Sequence, residues 1–336
     1  MTHLRTFLLI QGLGLTWALL SVSCNRTPLS INHHAILEVE ALLAELSQLS
    51  GKQTLSGQHN YLGTISESTE AAYELTGAYP AIWGSDFGFS AAGIDDIHFR
   101  DTMIQEAIRQ HAQGSIITLM WHAVRPIDDE PNGWKESVQN ELTPAEWREL
   151  LTPGTVLHRR WLAQLDVIAG HLKVLQDHDI PVLWRPYHEM NGGWFWWGKR
   201  PGDYQRLWRN MYEYFTHHHE LNHLIWVWNA NEFRPGEVES YADYFPGLDV
   251  VDVLATDVYT ENYAIEDYQT LLELAQGKPI AIGECGKLPT PEHLAEQPQW
   301  VWFMEWARML TSKNESEAVR HLYQSARVLH QRPGNP

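Results

Sequence analysis

The stretch PVLWRPYHE, residues 181–189, runs through four apolar positions and closes on Arg185, His188 and Glu189. A near-continuous apolar run is the pattern of a strand covered on both faces in a parallel sheet. Seven further short β-rich segments can be counted, most of them near-continuous apolar runs as well: TLSGQ (54–58), PAIWGSDF (80–87), SIITLMWH (115–122), HLIWVWNA (223–230), VDVLATDVY (251–259), PIAIGECG (279–286) and VWFMEWA (301–307). Between them, in 101–113, 156–178, 202–219 and 264–276, apolar residues recur at three and four, the helical spacing. Eight strands alternating with helices over about 280 residues is the count and size of a (β/α)8 barrel. An α/β fold with a single TIM barrel is therefore expected, and a doubly wound sheet is the runner-up.

The stretch 125–155 after the third segment is too long and polar for an ordinary βα connection and is expected to build part of a rim. No repeat, low-complexity tract or Pro/Ser linker divides the chain, so a second domain is not supported.

Composition narrows the partners. Hydrophobic residues make up 44% of the 336 and charged ones 20%, ordinary for a folded domain. Asp and Glu outnumber Lys and Arg by 42 to 24, which argues against nucleic acid and favours a neutral or cationic ligand. Sixteen tryptophans and thirteen tyrosines supply flat apolar faces with polar edges, which suit sugars, nucleobases and quaternary amines. With two cysteines, Cys24 and Cys285, there is neither a disulfide framework nor a Cys/His zinc spacing.

Residues 1–24 combine a basic start (Arg5), the apolar FLLIQGLGLTWALL (7–20) and the small-residue SVSC (21–24), the pattern of a secretory signal. The run is too short and broken for a stable transmembrane helix. Cys24 resembles the lipidated cysteine of a bacterial lipobox, although Ser21 stands where that pattern usually has Leu, and plain cleavage near Ser23 is the alternative. Residues 25–34 then form a short polar tether and 35–330 one (β/α)8 domain. The expectation is an exported monomer that meets a membrane only through a lipid on Cys24.

In a TIM barrel the working groups stand at the C-terminal ends of the strands. Those ends offer Trp121 and His122 from the third segment, Arg185, His188 and Glu189 from the fourth, Asp257 and Tyr259 from the sixth, and Glu284 from the seventh. Glu189 and Glu284 each end an apolar run, where an ionised carboxylate is expensive unless it is paired or has a task. Singly, each reads as a structural ion-pair member. Facing one another across a mouth lined with tryptophan, they are the proton donor and the opposed partner that glycoside hydrolysis requires. Arg185 either buttresses these carboxylates or pairs with a buried acid. Cys285 alternates to the opposite face from Glu284 and is expected in the core. His217–His219 read as a solvated helix end, and Trp147, Trp161 and Trp208 as barrel-covering core.

RPYHEMNGGWFWWG (185–198), together with ATDVY (255–259), IGECG (282–286) and LSGQH (55–59), resembles glycoside hydrolase family 26, whose best-known members are β-mannanases. The resemblance runs from about residue 50 to residue 310. It implies Glu189 as acid/base and Glu284 as nucleophile in a retaining double displacement, with no metal or organic cofactor. His188 and Trp194 would shape the cleavage subsite, Tyr259 would hydrogen-bond the nucleophile, and Asp257 and His122 would bind sugar. Trp121 is a further candidate for the sugar. Trp302 would be the stacking ring near the eighth strand, with Trp300 and Trp306 as alternatives. The substrate class implied is mannan, glucomannan or galactomannan. A xylanase or mixed-linkage glucanase, a mannobiose-releasing exo-enzyme and a non-catalytic sugar-binding lipoprotein stand as the other readings.

Overall fold

The computed structural model describes residues 29–332, so the signal-like segment, Cys24 and residues 25–28 lie outside the described residues. All eight apolar segments are strands: β1 Thr54–Asn60, β2 Ile82–Asp86, β3 Ile116–Trp121, β4 Val182–Pro186, β5 Leu224–Asn231, β6 Val253–Val258, β7 Ile280–Cys285 and β8 Trp300–Glu305. They pair in sequence order, every pairing is parallel, and β8 and β2 both pair with β1, so the sheet closes into a barrel. The doubly wound alternative is thereby excluded. A two-residue strand, β9 Val328–Leu329, lies along the start of β1.

Closure follows from what the two faces of each strand carry. Leu183, Ile225, Val227, Ala255, Ala281 and Met304 belong to one buried cluster, inside the barrel, where medium and small aliphatic groups fit. Their neighbours Trp184, Trp226 and Trp228 belong to the other cluster, between the sheet and the helices. There Trp226 meets Trp208 at 5.7 Å between ring centroids, and Trp184 meets Phe215 at 6.0 Å. Much of the tryptophan is thus scaffold, as expected for Trp147, Trp161 and Trp208, all of them buried.

The helices are α1 Leu37–Leu49, α2 Glu67–Thr76, α3 Arg100–Ala112, α4 Pro144–Leu150, α5 Val156–Gln176, α6 Pro201–Glu213, α7 Tyr241–Tyr244, α8 Ile265–Ala275, α9 Pro291–Glu296, α10 Met309–Ser312 and α11 Ser316–Tyr323. Four of them, α3, α5, α6 and α8, are the amphipathic stretches read from the sequence. α1 plugs the barrel's N-terminal end: Val39, Leu42, Leu43, Leu46 and Leu49 join the interior cluster. The chain ahead of it is docked there too. The Leu29 and Ser30 N–H groups donate to the two carboxylate oxygens of Glu40, Ile31 N–H donates to Asp252 Oδ1 at 2.9 Å, and Asn32 Nδ2 donates to Asn222 Oδ1 at 3.0 Å. Residues 29–32, expected as tether, are therefore held against the barrel base by these four hydrogen bonds.

The long stretch 125–155 has structure of its own. A π-turn spans Trp134–Val138, and α4 begins with a capping box in which Thr143 and Glu146 exchange hydrogen bonds while Pro144 occupies the first turn. Arg125 ties it together by donating to Asp128 Oδ2 at 2.9 Å and to the Glu141 carbonyl at 2.8 Å. Trp134 and Gln139 are thereby held over the barrel mouth.

Candidate active site

β4 ends at Pro186, and the next residues turn sharply. Tyr187 and Glu189 both adopt left-handed backbone conformations, with φ of 46° and 54°, each costing about 1–2 kcal/mol for a residue with a Cβ. Glu189 N–H donates to the Asn229 carbonyl at 2.9 Å, which ties the turn to β5. The aromatic run supplies the rest of the mould: Trp197 Nε1 donates to the His188 carbonyl at 2.7 Å and Trp196 Nε1 to the Ala123 carbonyl at 2.8 Å. From α5, Trp161 Nε1 donates to Tyr187 Oη at 2.9 Å. Trp196 and Trp197 thus pack the loop, whereas Trp194 and Phe195 line the cleft.

Glu189 is presented by this turn with both oxygens engaged. Asn231 Nδ2 donates to Oε1 and Trp194 Nε1 to Oε2, each at 2.6 Å. Burial, followed by the negative charge of Glu284, pushes its carboxyl up to about 7, and the two hydrogen bonds work in the opposite direction.

Glu284, at the end of β7, has a different setting. Arg185 Nη2 donates to its Oε1 and Tyr259 Oη to its Oε2, each at 2.6 Å. His188 Nε2 lies 3.6 Å from Oε1. The Arg185 guanidinium also reaches Asn229 Oδ1 at 3.3 Å and Asp257 Oδ1 at 3.5 Å. Both readings of Arg185 therefore hold: it buttresses Glu284 and pairs with a buried acid. A Cβ on Gly283 would overlap the Asn229 amide oxygen, so only glycine lets Asn229 close on this network. Ligand-type atoms of His188, Asp257 and Glu284 lie within 4.8 Å of one another, as in a metal site, but the guanidinium already supplies the positive charge that two of them face.

The cleft above the pair encloses about 330 Å³. His122 lines it, its Nδ1 hydrogen-bonded to Asp86 Oδ2 and its N–H donating to Asp86 Oδ1 at 3.1 Å. Burial opposes charge on this ring, but the charge of Asp86 and its hydrogen bond, together with the charges of Glu284 and Asp95, raise the imidazole above its usual value. His188, 4.6 Å away and edge-on, goes the other way. Burial and then the charges of His122 and Arg185 hold it well below the ordinary histidine range, so it stands neutral. Trp306, just past β8, stacks on His59 with centroids 3.9 Å apart and planes at 15°, and lines the cleft.

The structure brings Glu189, Glu284, His188, Trp194, Tyr259 and His122 to this cleft and leaves three expected residues out of it. Trp121 is fully buried against Tyr187, because neighbours on a strand face opposite ways and His122 takes the inner side. Trp302 lies in the cluster around α1, too far down β8 to reach the mouth, so the ring at that position is Trp306. Asp257 has no exposed surface and lies behind Arg185. Burial and then the charge of Glu284 raise its carboxyl well above the usual range, so it faces the network rather than a sugar. Asp86 and Asn231 are the last residues of β2 and β5, so the strand-end rule reaches them as well. Trp134, Gln139 and Arg234 carry no such signal, since they come from loops.

The family model described as glycosyl hydrolase family 26 matches residues 31–333. A mannan endo-1,4-beta-mannosidase of Thermothelomyces thermophilus is 32% identical over 312 residues, covering 89% of this chain and 61% of that protein. One of Bacillus subtilis is 30% identical over 314 residues, covering 85% of this chain and 83% of its own length. The first of these is thus spanned over less than two thirds of its length. Among solved structures, GH26A from Muricauda sp. MAR_2010_75 superposes with a TM-score of 0.85 at 45% identity, covering 89% of this chain and 98% of that one. A beta-mannanase from a symbiotic protist of the termite Reticulitermes speratus, complexed with gluco-manno-oligosaccharide, gives 0.77 at 28% identity, covering 90% and 96%.

Proposed function

The chain belongs to glycosyl hydrolase family 26, and we propose that it hydrolyses internal β-1,4-mannosidic bonds by double displacement with retention. The observation that carries this is the asymmetry of the two glutamates: Glu284 has a cationic and a phenolic donor on its oxygens, while Glu189 is buried with a carboxyl near 7. Glu284 then attacks the anomeric carbon as Glu189 gives its proton to the departing oxygen. Once Glu284 is esterified its negative charge is gone, and with it the second cause of the raised Glu189 value. Glu189 therefore becomes more acidic in the intermediate, as it must to take a proton from the incoming water.

The cleft supports a neutral sugar chain. Trp306 and Trp194 offer apolar rings, and His122 and Asn231 offer polar edges. The similar proteins that are named for mannan agree with this substrate class.

Product sizing over time on linear mannan, with xylan and barley mixed-linkage glucan in parallel, tests the proposal. A ladder of mannooligosaccharides at early times is expected. Mannobiose alone from the start would make the enzyme exo-acting, turnover of only xylan or glucan would overturn the substrate, and binding without turnover would overturn catalysis.

The pH dependence has a definite sign. Because Glu189 must be protonated in the first step, kcat/KM should fall as pH rises through about 7. Trp194→Phe removes a hydrogen bond that favours ionised Glu189, so this limb is expected to move upward by about one pH unit. An unmoved or lowered limb in the pH–rate profile would refute the link between Trp194 and the acid.

A further inference from the structure

Glu232, the residue after β5, is buried and has no part in the chemistry above. Its Oε1 accepts the backbone N–H groups of Tyr259 and Thr260, both at 2.7 Å, and its Oε2 accepts the Thr260 hydroxyl at 2.5 Å. Its own N–H donates to the Asp257 carbonyl at 2.9 Å. All three side-chain bonds go to one turn, the one that leaves β6. Tyr259 is the first residue of that turn, and its hydroxyl lies 2.6 Å from Glu284 Oε2. The side chain of Glu232 thus does at this turn what a sheet ladder does further down the barrel: it gives exposed-end N–H groups a fixed acceptor.

We propose that Glu232 is a positioning residue, holding the Tyr259–Thr260 turn so that the tyrosine hydroxyl stays on Glu284. The proposal rests on Glu284 being the nucleophile. What matters is the reach of the side chain and its acceptor oxygen, not its charge. Glutamine keeps the oxygen that takes both N–H groups, and its amide can face the Thr260 hydroxyl as donor. Aspartate keeps the charge but is one methylene too short to span the gap.

The test compares Glu232→Asp, Glu232→Ala and Glu232→Gln, each alone and combined with Tyr259→Phe, by kcat and KM on linear mannan and by melting temperature. Glu232→Asp and Glu232→Ala are expected to lower kcat by about 30- to 100-fold with KM within about twofold, since the misplaced hydroxyl acts on the reacting atoms and the Trp194 and Trp306 rings that line the cleft are untouched. Glu232→Gln should keep at least about a third of kcat. With Tyr259→Phe in place the hydroxyl is gone, and Glu232→Asp should then cost no more than about twofold, the non-additivity of a coupled pair. Equal losses in both backgrounds, a loss carried by KM, or an aspartate variant as active as the glutamine one would overturn the proposal. Glu284→Gln in the same series separates the two levels. If it stays active the nucleophile assignment fails, whereas if it is inactive and the Glu232 variants behave additively, only the positioning role fails.

Discussion

Glu284→Gln is expected to lower kcat on linear mannan by on the order of 10⁵-fold, the scale on which removal of a covalent nucleophile is felt. Affinity for mannooligosaccharides should change by no more than about threefold, because the rings and edges that line the cleft are untouched. The fold should survive. Arg185 would lose an anionic partner but still lie 3.5 Å from Asp257, whose carboxyl is raised well above the usual range by burial and then by the charge of Glu284 itself. Remove that charge and Asp257 ionises more readily, so the guanidinium is not left unpaired in the interior. Steady-state rates and calorimetric titration with an oligosaccharide check both halves, and a Glu284→Gln enzyme with full activity would end the two-carboxylate mechanism.

The second large effect belongs to Glu189→Gln. Loss of the proton donor should cut kcat on mannan by about 10³- to 10⁴-fold, the upper range for general acid catalysis. An aryl mannobioside whose leaving group needs no proton should still form the covalent intermediate, giving a burst of phenol followed by slow turnover. Added azide should speed the second phase and yield a β-glycosyl azide, with retained configuration. Absence of a burst together with unchanged mannan turnover would remove Glu189 from the role.

The same substitution carries a stability signature. The folded carboxyl of Glu189 titrates at about 7, above the roughly 4.3 of an unfolded chain. Between those values the folded state binds the extra proton, so this group's contribution is fully present below pH about 4.3 and is lost as pH rises through 7. Glu189→Gln should therefore match the parent at pH 4 and melt a few °C higher at pH 8, for a gain on the order of 2 kcal/mol.

The strands were legible because parallel strands buried on both faces read as apolar runs whatever surrounds them, and Glu189 and Glu284 because each breaks such a run at its end. Face and depth were harder. Trp121 and His122 differ by one position and point opposite ways, so a strand-end rule that takes both must misplace one. Trp302 and Trp306 are equally aromatic and four residues apart, and which one reaches the mouth depends on where β8 stops and on the register shifts between β7 and β8. Asp257 sits at the right end of the right strand, and its exclusion from the cleft depends on Arg185 arriving from β4, a contact between residues 72 positions apart. Trp134 and Arg234 come from loops, where no periodicity reports direction.

The docking of residues 29–32 fixes the end of the barrel from which the chain ahead of them leaves. Asp252 and Asn222, which hold Ile31 and Asn32, precede β6 and β5, so the chain enters at the end of the barrel opposite the glutamates. Whatever is joined upstream of Leu29 is joined at that end. A lipid on Cys24 would stand five residues from Leu29, a span of at most about 18 Å. Such an anchor would hold the barrel base-down and close to the bilayer, with its mouth turned outward. A long, stiff polysaccharide could then lie across the mouth parallel to the membrane without having to thread between enzyme and lipid.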